Sequence, residues 1–202
     1  MKRFSCVAAL ILLASVAQAQ EWTAGTADWA RLPELKRSKL NLYLTPRQAY
    51  DTLVREGSRT LFLDIRTRAE AMYLGMPTLA DALVPYVEHQ EVMTDWDDKR
   101  NIYVLEPNVE FPQEVERRLQ EKGLTKGDRV ILICRSGDRS ARAADLLEMR
   151  GFKQVYSIAE GFEGDMGKEG AAAGRRAVNG WKNAGLPWSY KLDKAKMWFP
   201  SK

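Results

Sequence analysis

The segment Ile133-Cys134-Arg135-Ser136-Gly137-Asp138-Arg139-Ser140 gathers chemically useful residue types into one short stretch. A cysteine does nucleophilic chemistry as its thiolate, so what matters is whether the surroundings of Cys134 favour the anion. The apolar run from Arg129 to Cys134 predicts a buried strand, and the amphipathic stretch from Ser140 to Arg150, closed by Gly151, predicts a helix. At a strand-to-helix junction several backbone N–H groups can aim at one point while the helix adds its positive end, and both stabilise an anion. Arg135, Arg139 and Arg142 make the surroundings electropositive, with Asp138 offsetting one charge, which would draw an anionic substrate. Gly137 suits a tightly curled or positive-φ backbone, and Ser136 and Ser140 carry hydroxyls that can face an anion or cap the helix. The competing expectations are an inert buried thiol at Cys134 and ordinary solvated charge at the arginines.

The elements that must position this loop follow from local pattern. Gln154 to Ile158 predicts a strand, so strand, loop, helix and strand form a βαβ unit around Cys134. Upstream, Thr45-Pro46 opens a helix with Ala49, Leu53 and Val54 on one face, ended by Gly57. Thr60 to Ile65 predicts a strand, Arg68 to Leu74 a short helix, and Ala82 to Val87 a strand that Pro85 confines to an edge or an end. Glu88 to Glu110 reads as a long irregular surface excursion, with brief pairing around Ile102 to Leu105. Phe111-Pro112 opens a surface helix with Val115 and Leu119 inward, ending at Gly123, and the glycines from Gly161 to Gly180 mark a long loop. Alternating strands and helices predict an α/β fold, an open and mostly parallel sheet with helices on both faces, whose ligands sit beyond the carboxyl ends of the strands.

Composition sets outer limits. The chain has 202 residues, 45% hydrophobic and 29% charged, which suits one domain with a substantial core. Lys2 and Arg3, an apolar run from Val7 to Val16 and Ala17-Gln18-Ala19 predict a signal peptide over residues 1–19, cleaved after Ala19, and hence a periplasmic or secreted protein. The run is too short to span a bilayer comfortably, so no stable membrane span is expected after cleavage; a retained anchor is the alternative. Loss of Lys2 and Arg3 lowers the net charge from +4 to +2, and basic residues are interleaved with acids, so nucleic acid is not an expected partner. The two cysteines are Cys6 and Cys134; cleavage leaves Cys134 alone, without a disulfide partner. One cysteine and one histidine, His89, cannot build a closed transition-metal site, and Asp95, Asp97 and Asp98 lack calcium-loop spacing, so no metal is expected. His89 is expected at the surface.

Cys134-Arg135-Ser136-Gly137-Asp138-Arg139-Ser140 resembles the active-site loop of the rhodanese family of sulfurtransferases. Leu63-Asp64-Ile65-Arg66 is similar to that family's first core strand, and Gly180 to Trp188 to its closing aromatic segment. The resemblance spans about Tyr43 to Tyr190. It divides the chain into the signal peptide, an N-terminal extension over 20–42, a rhodanese-like domain over 43–190 and a tail over 191–202. Leu74-Gly75-Met76-Pro77-Thr78-Leu79 departs from the family's usual turn, and the excursion after Glu88 is longer than a minimal domain needs. The resemblance implies sulfur transfer through a persulfide on Cys134, with residues 135–140 as its binding loop and no cofactor. The implied partners are a small anionic donor such as thiosulfate and a thiol, cyanide or protein acceptor. A non-enzymatic sulfur carrier or partner-binding module is the alternative. A cysteine phosphatase fits less well, because its clamping arginine would stand where Ser140 stands.

Overall fold

The computed structural model describes residues 29–201. The expected signal peptide, its cleavage point and the extension before Trp29 lie outside the described residues. In chain order the elements are β1 (Tyr43–Leu44), α1 (Pro46–Glu56), β2 (Thr60–Asp64), α2 (Arg68–Leu74), β3 (Met76–Pro77) and β4 (Ala82–Leu83). There follow β5 (Val87–His89), β6 (Trp96–Asp97), β7 (Ile102–Tyr103), β8 (Leu105–Pro107) and α3 (Phe111–Glu121). The chain closes with β9 (Arg129–Ile133), α4 (Asp138–Met149), β10 (Gln154–Ile158) and β11 (Trp188–Ser189).

Five strands form a parallel sheet in the order β1-β10-β9-β2-β4. Alternation along the central strands sorts side chains between two cores. Leu61, Leu63 and Ile65 join Val130, Leu132 and Cys134 beneath α3 and α4, whereas Phe62, Ile131 and Ile133 face α1, α2 and the C-terminal segment. Both faces are therefore covered, as a parallel sheet requires. On the second face Trp181 is fully buried, with its ring 5.4 Å from that of Phe62 and its Nε1 donating to the Pro187 carbonyl at 3.0 Å.

The caps explain where the helices begin. Thr45 Oγ1 accepts from the Gln48 amide while the Gln48 side chain accepts from the Thr45 amide, a capping box before Pro46. Ala49 and Leu53 are buried, but Val54, expected beside them, is 62% exposed. One residue past Leu53 the helix has rotated by about 100°, which carries Val54 off the buried stripe.

Two expected segments differ. The run Ala82 to Val87 divides at Pro85, which has no N–H to give a neighbouring strand: β4 ends the main sheet, and Val87 instead begins β5. The excursion after Glu88 is a folded antiparallel ribbon. His89 pairs with Leu105 between β5 and β8, and Trp96 pairs with Tyr103 between β6 and β7. Its tip is shaped by the Asp97 carboxylate, which accepts the Lys99 and Arg100 amides, and by Asn101 at φ 54°.

Candidate active site

The chain leaves β2 toward β4 on one side of the sheet and leaves β9 toward β10 on the other. The crevice beyond the carboxyl ends of β2 and β9 is thus the point where the winding reverses, the usual ligand position in open parallel sheets. Cys134 follows β9 there, fully buried.

The loop is held from behind, which leaves its N–H groups free to face the sulfur. The Cys134 carbonyl accepts from the Phe162 amide at 2.8 Å, and the Arg135 carbonyl accepts from Glu163 and Gly164 at 3.0 and 3.2 Å. Gly137, at φ 98°, turns the chain into α4, which begins at Asp138, two residues earlier than the sequence suggests. The Gly137 amide donates to Cys134 Sγ at 3.1 Å and the Ser140 amide at 3.4 Å. Ser140 Oγ lies 3.5 Å from Sγ, donates to the Gly137 carbonyl at 3.1 Å and sits 2.8 Å from Ser157 Oγ. Ser140 is thus a buried spacer under the sulfur and not a helix cap. Ser136 Oγ reaches Asp138 Oδ1 at 3.4 Å, and the Cys134 thiol donates to that same carboxylate oxygen at 3.8 Å. The two amides and the positive end of α4 all converge on Sγ, an arrangement that stabilises negative charge there.

The three arginines expected to make the loop electropositive each have a carboxylate partner. Arg135 Nε donates to Glu163 at 2.8 Å, Arg142 Nη2 to Asp138 at 3.3 Å, and Arg139 forms a two-pronged pair with Glu70, both bonds 2.7 Å. Their charge is largely spent within the fold. Burial pushes the Asp138 carboxyl up, and the nearby Arg139 and Arg142 charges outweigh it, so the net displacement is downward.

Glu70 is the residue that motif reading missed. It is the third residue of α2, where it caps the helix by accepting the Thr67 amide at 3.0 Å, and it anchors Arg139 with the same carboxylate. The legible signal was Thr67-Arg68-Ala69-Glu70, a capping-box spacing directly after the Asp64-Ile65-Arg66 strand end. Arg66 is itself buried, its guanidinium bonded to Asp64 and to the Gly75 carbonyl and lying 4.0 Å from the Phe162 ring centre. The Glu70–Arg139 pair ties the first turn of α2, just after β2, to the start of α4 beside Cys134.

Burial would raise the Glu70 carboxyl, but the paired Arg139 overrides it and holds it at about 2, against an ordinary value of 4.5. A carboxyl depressed in the folded state stabilises the fold above its unfolded value, and that contribution is lost as pH falls from 4.5 toward 2. Its size is on the order of 3 kcal/mol. Glu70→Gln is therefore expected to lower the urea midpoint at neutral pH and to flatten its dependence between those pH values. Parallel pH curves for wild type and variant would contradict the assignment.

Above the loop lies a cavity of about 600 Å³. Ser136, Asp138, Arg139 and Glu70 contribute to one side of it, and the β5–β8 ribbon supplies much of the other, including His89, which is part of the cavity wall and hydrogen-bonds Glu88. The sequence could not place the ribbon there, because nothing local specifies which way an excursion folds. Among the described residues no group of three or more His, Cys, Asp or Glu stands close enough to hold a metal ion, and no helix is long and apolar enough to cross a membrane.

Residues 45–167 match the rhodanese-like domain family. An uncharacterised protein of Rickettsia conorii is 28% identical over 145 residues, covering 71% of this chain and 93% of its own. YrkF of Bacillus subtilis, named as a candidate sulfur carrier, is 40% identical over 55 residues, 27% of this chain and 29% of YrkF. The crystal structure of Rv0390 from M. tuberculosis superposes with a TM-score of 0.55 at 28% identity, over 73% of this chain and 96% of that one. A strand-end cysteine loop at the winding reversal of a five-stranded parallel sheet, together with a family match over most of that sheet, makes this chain a member of the rhodanese-like family.

Proposed function

We propose that this protein is a sulfurtransferase that carries sulfane sulfur as a persulfide on Cys134, with residues 135–140 as the loop that holds it. The observation that carries this reading is the convergence of the Gly137 and Ser140 amides on Sγ at the start of α4. The Cys134 thiolate attacks the outer sulfur of a donor such as thiosulfate; the donor's S–S bond breaks and sulfite leaves with the electron pair. An acceptor such as cyanide or a thiolate then attacks the outer sulfur of the persulfide, and Cys134 departs as thiolate. One difficult transfer becomes two easier ones. The loop amides hold the charge at each stage, as oxyanion-hole donors do elsewhere.

At rest the thiol donates to Asp138 and is closed off from solvent. Loss of its proton would leave a thiolate about 4 Å from the Asp138 carboxylate, whose other oxygen already meets Arg142 Nη2 at 3.3 Å, so that guanidinium offsets part of the repulsion. Export to the periplasm or beyond belongs to this proposal on the pattern of residues 1–19 alone.

The full occlusion of the sulfur also suits a carrier that takes and gives sulfur only on a partner. Intact mass of the purified protein with thiosulfate, followed by cyanide, separates the cases. Enzyme activity is expected to give a gain of ~32 Da that cyanide removes repeatedly. Charging without turnover on small acceptors would favour the carrier, and no charging with any sulfane donor would sink both.

A further inference from the structure

The cavity over the Cys134 loop is larger and differently lined than an inorganic sulfur anion needs. At about 600 Å³ it falls in the range of pockets that hold organic ligands. The β6–β7 hairpin gives it an aromatic and aliphatic wall: Trp96 and Tyr103 stack edge to face at 5.2 Å and are 50% and 46% exposed, beside Met93 and Ile102. A cluster of apolar side chains left half-bare around a cavity marks a surface meant to be covered.

A cation also reaches the cavity from a segment that motif reading did not single out. Arg176, from the long loop after β10, lines the same space. Unlike Arg135, Arg139 and Arg142, it has no salt-bridge partner among the described residues. Its Nη1 donates to the Gly164 carbonyl at 2.5 Å, and its buried Nε has no hydrogen-bond partner. Burial and the neighbouring Arg135 charge work against its protonated form and outweigh the more weakly placed Glu163, Asp165 and Asp138 carboxylates, so an anion bonded directly to this guanidinium would offset what they leave uncompensated.

We infer that the cavity is the acceptor subsite, built for an organic thiol with an apolar body and an anionic head. The body lies against Trp96 and Tyr103, and a carboxylate or sulfonate pairs with Arg176. The inference rests on the persulfide reading above. Cys134 itself is fully buried, so the outer sulfur of its persulfide is the atom such an acceptor must reach. The acceptor thiolate forms a new S–S bond to that sulfur, the bond to Cys134 Sγ breaks, Cys134 leaves as thiolate, and the outer sulfur's proton departs with the product persulfide.

The test charges the full chain with thiosulfate, verifies the mass gain, and times discharge by mercaptoacetate, mercaptohexanoate and mercaptooctanoate, with mercaptooctanol as the uncharged control. Discharge is expected to speed up at least tenfold along the acid series, since burial of about two of the six added methylenes already supplies that factor. The octanol is expected to lag the octanoate by about tenfold, as a lost ion pair with a partly buried cation implies. Trp96→Ala is expected to abolish the chain-length dependence, and Arg176→Gln the advantage of acid over alcohol, each read as a ratio within one variant so that general damage cancels. Charging followed by discharge indifferent to length and head group overturns this subsite while leaving the persulfide intact. If the same variants instead slow charging by an alkyl thiosulfonate and not discharge, the cavity serves the donor and the acceptor assignment fails. Absence of charging removes the persulfide reading and this inference with it.

Discussion

Cys134→Ser is expected to lower sulfur transfer by roughly 10³-fold or more, to the level of the uncatalysed reaction, because it removes the nucleophile that forms the covalent intermediate. Among the described residues Cys134 is the only cysteine, so none of them supplies a second thiol. The fold should tolerate the change. Serine is nearly isosteric, and its oxygen can receive the Gly137 and Ser140 amides that now meet sulfur and donate to Asp138 in the thiol's place. The variant should therefore melt within a few degrees of wild type, a stability change of about 1 kcal/mol or less, while showing no mass gain with thiosulfate. Retained transfer in that variant would refute the persulfide mechanism, whatever its stability.

The second large effect belongs to a residue with no side chain. Gly137 sits at φ 98°, and a Cβ built on it would lie 2.1 Å from the Ala159 carbonyl oxygen, which belongs to the backbone that follows β10. Gly161 answers it from the other side, since a Cβ there would meet the Ser136 amide nitrogen at 2.5 Å. The loop and the turn after β10 are thus locked against each other through two bare Cα atoms. Left-handed backbone costs an L-residue on the order of 1–3 kcal/mol, and the overlap adds the cost of moving packed backbone. Gly137→Ala is expected to lose ~3 kcal/mol or more of stability in denaturant titration. In whatever fraction folds, charging should slow because the amides no longer converge on Sγ. A fully stable, fully active alanine variant would show that the loop does not need this geometry.

The elements that sequence revealed are those whose evidence is local. Thr45-Pro46, Arg68 to Leu74 and Gln154 to Ile158 carry their own caps and periodicity, and α1, α2 and β10 begin and end within a residue of expectation. The Cys134 loop was legible for the same reason: its residues are contiguous, and the strand before it and the helix after it are strongly patterned. Val54 shows the limit, since a single helical step separates a buried position from an exposed one. The ribbon of β5 to β8 shows it more plainly. Strands of two or three residues have too little alternation to be read, and their pairing is set across a gap in sequence.

Sequence alone therefore determined the α/β architecture and the position of Cys134 in a loop between a strand end and a helix start. Those properties follow from hydrophobic period, turn residues and backbone dipoles within a short stretch of chain. The tertiary structure alone decided how charge and shape surround the sulfur. It spent Arg139 on Glu70 and Arg135 on Glu163, left Arg176 without a salt bridge among the described residues, and laid the aromatic hairpin over the loop. The physical reason is range: a hydrogen bond or an ion pair acts over a few ångströms in space, and residues 69 and 28 positions apart come within that distance only when the sheet brings their loops together.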